Sequence, residues 1–147
     1  MLHEEFRQRL GKEYRYAVTK MQEAKEPARK LFYFSVFFGE TQRVLNWEWN
    51  TDLVLIHTIT QQIHTQINTT MQMPGIVQTL PIDWTTLFDK LTQATSDLAT
   101  YFENTQDNRE ELFQILGRFV EIGYVATGNG SYLYEKGLIK LSTSTEP

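Results

Sequence analysis

Apolar residues recur at steps of three and four along most of this chain, and this spacing constrains the fold more than any other feature. Such spacing places an apolar stripe along one side of an α-helix, and that stripe must pack against another element. The pattern predicts helices over about 2–25, 27–48, 52–72 and 109–122, and a further helical segment over 84–104. We therefore expect a mainly α protein built as a helical bundle.

Polar residues and prolines mark the expected helix starts. Pro27 suits the first position of the second helix, and Asn50-Thr51-Asp52 and Asp83 are good N-caps for the segments that follow them. The segment 84–104 has two interpretations. It is either one continuous helix or two short helices parted at Gln93–Ser96, with Thr95 or Ser96 as a cap.

The stretch between the third helix and Asp83 contains two prolines and a glycine, and it is the clearest break in the chain. It divides a helical N-terminal region, residues 1–72, from a second region, residues 83–141. The alternative is that both regions form one compact domain.

The second helix carries a run, Leu31 to Phe38, that is apolar on nearly every side. A helix apolar all round needs more cover than one neighbour gives. It is therefore either central in the fold or part of a contact between copies, and we predict a homodimer through this helix. The expected contact residues are Phe34, Phe37, Phe38, Trp47 and Trp49.

Composition limits the classes of function. The chain has 147 residues, no cysteine and a net charge of −4, which argues against a general nucleic-acid binder. Its longest apolar run is too short for a membrane span, which takes about 20 residues. No cysteine, His-x-x-x-His pair or phosphate-binding glycine motif is present, so we expect no cofactor, metal or catalytic site, and a cytoplasmic protein.

The sequence pattern changes near the end of the chain. Tyr124 to Thr127, Gly128 to Ser131 and Tyr132 to Tyr134 follow the pattern of strand, turn and strand. The turn contains Asn-Gly, a pair that tight hairpins favour because both residues tolerate positive φ. We expect Gly123 to end the preceding helix and a small β-hairpin to follow it.

Residues 83–141 resemble a winged helix-turn-helix domain. The resemblance rests on a helix ending in Gly123-Tyr124-Val125, the turn Gly128–Ser131, and the phrase Tyr132 to Gly137. Upstream, Trp84 to Leu91 is similar to the family's first helix and Thr95 to Ala99 to the start of its second. The stretch from Leu98 to Leu112 is longer than the compact turn of that family, and the competing architecture is an all-α up-and-down bundle.

The resemblance implies that 109–122 is a recognition helix. Base and phosphate contacts need exposed donors, and an exposed aromatic residue suits a protein partner. Glu110, Glu111 and Glu121 on the same helix repel phosphate, so the implied module favours binding in general more than DNA in particular. The predicted contact residues are Asn108, Arg109, Phe113, Gln114, Arg118, Lys136 and Lys140.

Two hypotheses of function follow. The first is a non-catalytic binding protein, a transcription-regulator-like factor of winged-helix type with a DNA or protein partner. The alternative is a helical-bundle interaction or assembly protein with no nucleic-acid role. His57 and His64 lie two turns apart on the third helix, too far to share one metal ion without ligands from elsewhere.

Overall fold

The computed structural model describes residues 2–77, 80, 82–104 and 106–126. Every regular element within these residues is helical, so the predictions of a mainly α protein and of a helical bundle are confirmed. The helices are α1 (Glu4–Glu23), α2 (Pro27–Leu45), α3 (Thr51–Met71), the short α4 (Pro74–Val77), α5 (Trp84–Glu103) and α6 (Arg109–Ala126).

The predicted start signals act as expected. Pro27 occupies the first turn of α2. Asn50 Oδ1 accepts a hydrogen bond from the Leu53 amide at 3.0 Å, and Asp83 Oδ1 accepts one from the Thr86 amide at 2.7 Å. Each bond satisfies an amide that has no partner inside its own helix. These caps fix where α3 and α5 begin.

The five long helices close a ring in the order α1, α2, α3, α6, α5 and back to α1. Arg7 of α1 contacts Tyr101 of α5, whereas the later Arg15 contacts the earlier Ser96, so α1 and α5 run antiparallel. Tyr101 likewise contacts Asn108 at the start of α6 and Asp97 contacts the later Arg118, so α5 and α6 are also antiparallel. An odd number of helices cannot alternate direction all the way round a ring. The parallel pair is α3 and α6, whose first turns are joined by an ion pair between Asp52 and Arg109.

Aromatic rings fill the centre of this ring of helices. Tyr14 lies 4.3 Å from Phe37 and 5.5 Å from Phe102, and Phe119 lies 6.1 Å from Phe34, all as distances between ring centroids. Five helices leave a wide centre, and aromatic side chains supply the volume that close packing needs. One apolar cluster therefore includes residues of α1, α2, α3, α5 and α6.

One polar pair lies inside this core. The Tyr14 hydroxyl hydrogen-bonds the Thr41 hydroxyl, and Thr41 also donates to the Phe37 carbonyl at 3.4 Å. Burial raises the pKa of Tyr14 above its ordinary value. The phenol therefore stays neutral, and its hydrogen bond to Thr41 joins α1 to α2.

Of the two interpretations of residues 84–104, the continuous helix is confirmed, because α5 is one unbroken helix from Trp84 to Glu103. Thr95 is buried, and its hydroxyl donates to the Leu91 carbonyl at 2.8 Å instead of capping a new helix. Ser96 Oγ accepts from Arg15 of α1 at 2.8 Å. Both hydroxyls are occupied within the bundle, so no break is formed there.

Gly123 does not end α6, which continues to Ala126, so the strand predicted to start at Tyr124 is also wrong over 124–126. Gly123 instead permits close packing on α3. A Cβ added there would lie 2.5 Å from the Gln66 side-chain oxygen and 3.0 Å from Ile63. The rest of the predicted hairpin, from Thr127 onward, lies outside the described residues.

Candidate functional site

Three of the residues predicted to contact a nucleic acid or a protein partner form hydrogen bonds within the chain. Asn108 Oδ1 accepts from the Glu111 amide at 3.2 Å and caps α6. Arg109 donates to Asp52 at 2.8 Å, and Arg118 donates to Asp97 at 2.7 Å. The hydrogen bond to Asp52 raises the pKa of Arg109 above its ordinary value, so this guanidinium is firmly cationic.

Three predicted contact residues of α6 face solvent. Arg109 and Gln114 are exposed, and 49% of Phe113 is exposed. The guanidinium carbon of Arg109 lies 5.9 Å from the centroid of the Phe113 ring. Lys136 and Lys140 lie outside the described residues. The structure therefore leaves Phe113 as the large exposed apolar side chain near the start of α6.

Three of the predicted dimer contacts are taken up by the chain's own fold. Phe34 and Phe37 are fully buried in the core, and Phe38 packs edge-on against His64 at 5.2 Å between ring centroids. Most of the run Leu31–Phe38 is covered because α2 packs between α1 and α3 and also reaches the aromatic centre, whereas Phe32 is exposed. The prediction that Phe34 and Phe37 contact a second copy is therefore wrong.

The two tryptophans remain exposed after α2. Trp47 stacks on Phe6 with 5.8 Å between ring centroids, and Arg9 lies 5.1 Å from its ring. Trp49 is the most exposed of the large apolar side chains described, at 76%. Each tryptophan lies beside charged residues, so neither continues into a broad apolar patch.

A cavity of about 410 Å³ lies beside Trp49, at the end of the bundle where α3 and α6 begin. Its buried arginine is already bound: Arg7 donates to the carbonyls of Asn104, Tyr101 and Gln106 at 2.6, 2.8 and 3.1 Å, and pairs with Asp107. The Tyr101 hydroxyl accepts from the Asn108 amide at 3.0 Å. These polar groups stabilise the α5–α6 connection and leave little for a ligand.

A second exposed surface, which was not predicted from the sequence, lies where α3 and α6 meet. Leu55, Phe113, Val120 and Tyr124 are exposed, and Ile59 is half-buried. A depression of about 260 Å³ lies between the two helices. We call this surface the α3–α6 face and define it by Leu55, Thr58, Ile59, Gln62, Gln66, Phe113, Gly117, Val120 and Tyr124.

The α3 side of this face carries no charge. Residues 53 to 82 contain no Asp, Glu, Lys or Arg, so the solvent-facing side of α3 is made of Thr, Gln, Asn and His together with Leu55. The exposed side of a solvated helix normally carries charged residues, and depletion of charge is typical of interface cores. This gap in the charge pattern is the sequence signal that marks the face.

The α6 side carries an unusual glycine. Gly117 lies inside the helix and is exposed, and a Cβ added there would meet nothing within 4 Å. By helical geometry it falls on the same stripe as Phe113, Val120 and Tyr124, at steps of four, three and four. The packing among the described residues thus gives no reason for a glycine at this position.

The two histidines of α3 are on its other side, toward Phe38. Partial burial lowers the pKa of both His57 and His64 below the ordinary 6.5. Among the residues described, no three His, Cys, Asp or Glu side chains converge in a way that could hold a metal ion. The described helices also include none with the length and apolarity needed to cross a bilayer.

Comparison of the chain with protein-family models, curated proteins and solved structures finds no match. The class of protein is therefore described by its own geometry: a closed ring of five helices with one parallel pair, and a partly apolar face along that pair whose α3 side carries no charge after Asp52.

Proposed function

We propose that this chain is a non-catalytic interaction protein, a helical bundle that binds a protein partner through the α3–α6 face. The observation that carries the proposal is the combination of exposed apolar side chains with an α3 surface that bears no charge after Asp52. Interfaces are distinguished by depletion of charge at their centre and by aromatic anchors such as Phe113 and Tyr124.

Binding to DNA through α6, which the winged-helix resemblance implies, is the weaker candidate. Arg109 and Arg118 would have to leave their ion pairs with Asp52 and Asp97 to reach phosphates. Glu110 and Glu111 occupy the first turn of the same helix and repel the backbone of a nucleic acid. A gel-shift assay at low salt with mixed genomic DNA tests this candidate, and retarded DNA would favour it over the interaction protein.

The proposal is tested by placing a photocrosslinking side chain on the face. Replacing Phe113 with p-benzoylphenylalanine puts the probe on the α3–α6 face. Replacing Tyr16 puts it on α1, across the ring of helices. The two positions are matched, since both are aromatic and are 49% and 50% exposed. In cells expressing the full chain, irradiation should give species of higher mass from the probe at 113 and not from the probe at 16.

A second variant separates specific contact from chance collision. Val120→Glu puts a charge in the middle of the face at an exposed position, so the fold should be unchanged by circular dichroism and thermal melting. The crosslink from position 113 should disappear in this background. Equal crosslinking from both probe positions, or a crosslink that survives Val120→Glu, would remove the basis for the proposal.

A further inference from the structure

We infer that the partner of the α3–α6 face is a second copy of this chain, with Gly117 at the close contact between copies. The inference rests on the proposed function, because it names the partner of the same surface. Its basis is the self-complementary chemistry of the face, its extent, and the open space at Gly117.

The polar groups of the face are suited to pairing with themselves. Thr58, Gln62 and Gln66 each carry groups that both donate and accept hydrogen bonds. A twofold contact brings like surfaces together, so a face of lysines or of glutamates would meet its own charge. An uncharged surface of threonine and glutamine avoids that repulsion, although each copy carries a net charge of −4.

The extent of the face sets how strongly two copies can bind. Two neighbouring helices of about 30 Å length and about 10 Å spacing present roughly 500–600 Å². A twofold contact through this face would bury about 1,000–1,200 Å² in total, at the low end for specific interfaces. We therefore expect a reversible dimer that forms as the protein concentration rises, not a permanent one.

Gly117 supplies the independent observation. An interior glycine weakens a helix relative to alanine, and no contact among the described residues offsets that cost, because they leave the space over Gly117 open. The benefit of glycine comes from contact with a second copy, because a glycine within an apolar stripe lets the backbone of another helix approach closely. Gly39 of α2 is also exposed with open space around it, but it lies off the face, so it is a matched control.

Sedimentation equilibrium of the purified full chain, over about 1–300 µM, tests the inference. We expect a monomer–dimer equilibrium that Val120→Glu abolishes. Gly117→Ala should weaken the dimer about tenfold while raising the melting temperature of the dilute monomer. Gly39→Ala should raise the melting temperature similarly and leave the dimer unchanged. Dimerisation that is insensitive to both Val120→Glu and Gly117→Ala would overturn the inference.

The photocrosslinking experiment distinguishes failure of this inference from failure of the proposed function. If the pure chain stays monomeric while the probe at Phe113 captures a different protein in cells, in a manner sensitive to Val120→Glu, the face binds another partner and the inference is wrong. A crosslink from 113 within one copy, with no gain in mass, also overturns it. If the pure chain is monomeric and no crosslink forms in cells, both proposals fail.

Discussion

Gly11 and Gly39 both lie inside helices, but their surroundings differ. A Cβ at Gly11 would lie 3.2 Å from the Glu103 amide nitrogen and 3.2 Å from the Phe102 carbonyl carbon, whereas one at Gly39 would meet nothing within 4 Å. Because the neighbour of Gly11 is the backbone of α5, it can move only if the two helices separate. Gly11 is thus required for the α1–α5 contact.

We therefore expect Gly11→Ala to lower the free energy of unfolding by about 1–3 kcal/mol relative to Gly39→Ala. Comparing the two variants cancels the gain in helix propensity that every glycine-to-alanine change brings, about 0.5–1 kcal/mol. Urea unfolding followed by circular dichroism measures both. Equal stabilisation by the two substitutions would show that α1 and α5 have room for a methyl group.

His57 and His64 give the fold a dependence on pH in a range where few other groups titrate. Partial burial against α2 lowers the pKa of both below 6.5, so the folded state holds the neutral imidazoles. Below pH 6.5 the unfolded chain binds more protons than the folded chain, and stability falls until the pH passes the folded pKa. Above pH 6.5 both states are neutral at these sites and the effect vanishes.

The unfolding midpoint should therefore drop between pH 7.5 and pH 5. The double variant His57→Gln, His64→Gln should show a flatter profile over this interval, while its stability at pH 7.5 changes less. Urea titrations at several pH values are sufficient. A midpoint that rises on acidification, or a drop that persists fully in the double variant, would contradict this assignment.

Some residue roles were predictable from sequence and others were not. The caps at Asn50 and Asp83 depend on bonds to amides three residues away, so local sequence predicts them. Arg7 looks like one charge among several on a solvated helix. Its burial depends on the connection between α5 and α6, about a hundred residues along the chain, and no local pattern contains that information.

At the scale of elements, Arg7 of α1 holds the connection between α5 and α6. Its guanidinium donates to three backbone carbonyls, pairs with Asp107, and lies 4.8 Å from the centroid of the Tyr101 ring. Removing it leaves carbonyls and a carboxylate without their donor. We expect Arg7→Met to cost about 2–4 kcal/mol of unfolding free energy.

Two further substitutions test whether the geometry of the Arg7 guanidinium, and not its charge alone, holds the connection between α5 and α6. Arg7→Lys keeps the charge but cannot reach several acceptors as a planar fork does, so it should recover only part of the loss. Arg29→Met removes an exposed arginine of α2 and should change stability by less than about 0.5 kcal/mol. Full recovery by lysine would mean that charge alone holds the connection.

Two local signals for a helix boundary have the same outcome in the structure. Thr95 has the hydroxyl of a cap and Gly123 is a residue type that often ends helices, yet each serves a contact inside a continuous helix. Serine, threonine and glycine stop helices only when the backbone needs an end there. At both positions tertiary packing favours a continuous helix. The order of the motifs that resemble a winged helix contains no information about this packing.

At the scale of the whole molecule, the stripes predicted the helices but not their order around the ring. The run Leu31–Phe38 suggested either a central helix or a dimer contact, and sequence offered no means to choose. In the structure α2 is a member of the ring, packed between α1 and α3, and its Phe37 faces Phe119 in the aromatic centre. Among the described residues, apolar side chains stay exposed along the parallel pair α3 and α6, and the sequence signal of this face is the missing charge on α3.

An uncharged face makes a definite prediction about salt. If copies pair through the α3–α6 face, few ions are released or taken up, and screening of the net charge of −4 slightly favours association. The dimer dissociation constant should then change less than about threefold between 50 and 500 mM NaCl, with any change toward tighter binding. A dimer that formed through the charged residues of α1 would weaken steeply over the same range of salt. Binding to phosphates would also weaken, since its affinity falls by about 10³–10⁵ between 50 and 200 mM salt for proteins with six to ten phosphate contacts. Sedimentation at the two salt concentrations therefore tells whether the surface that joins copies is the one without charge.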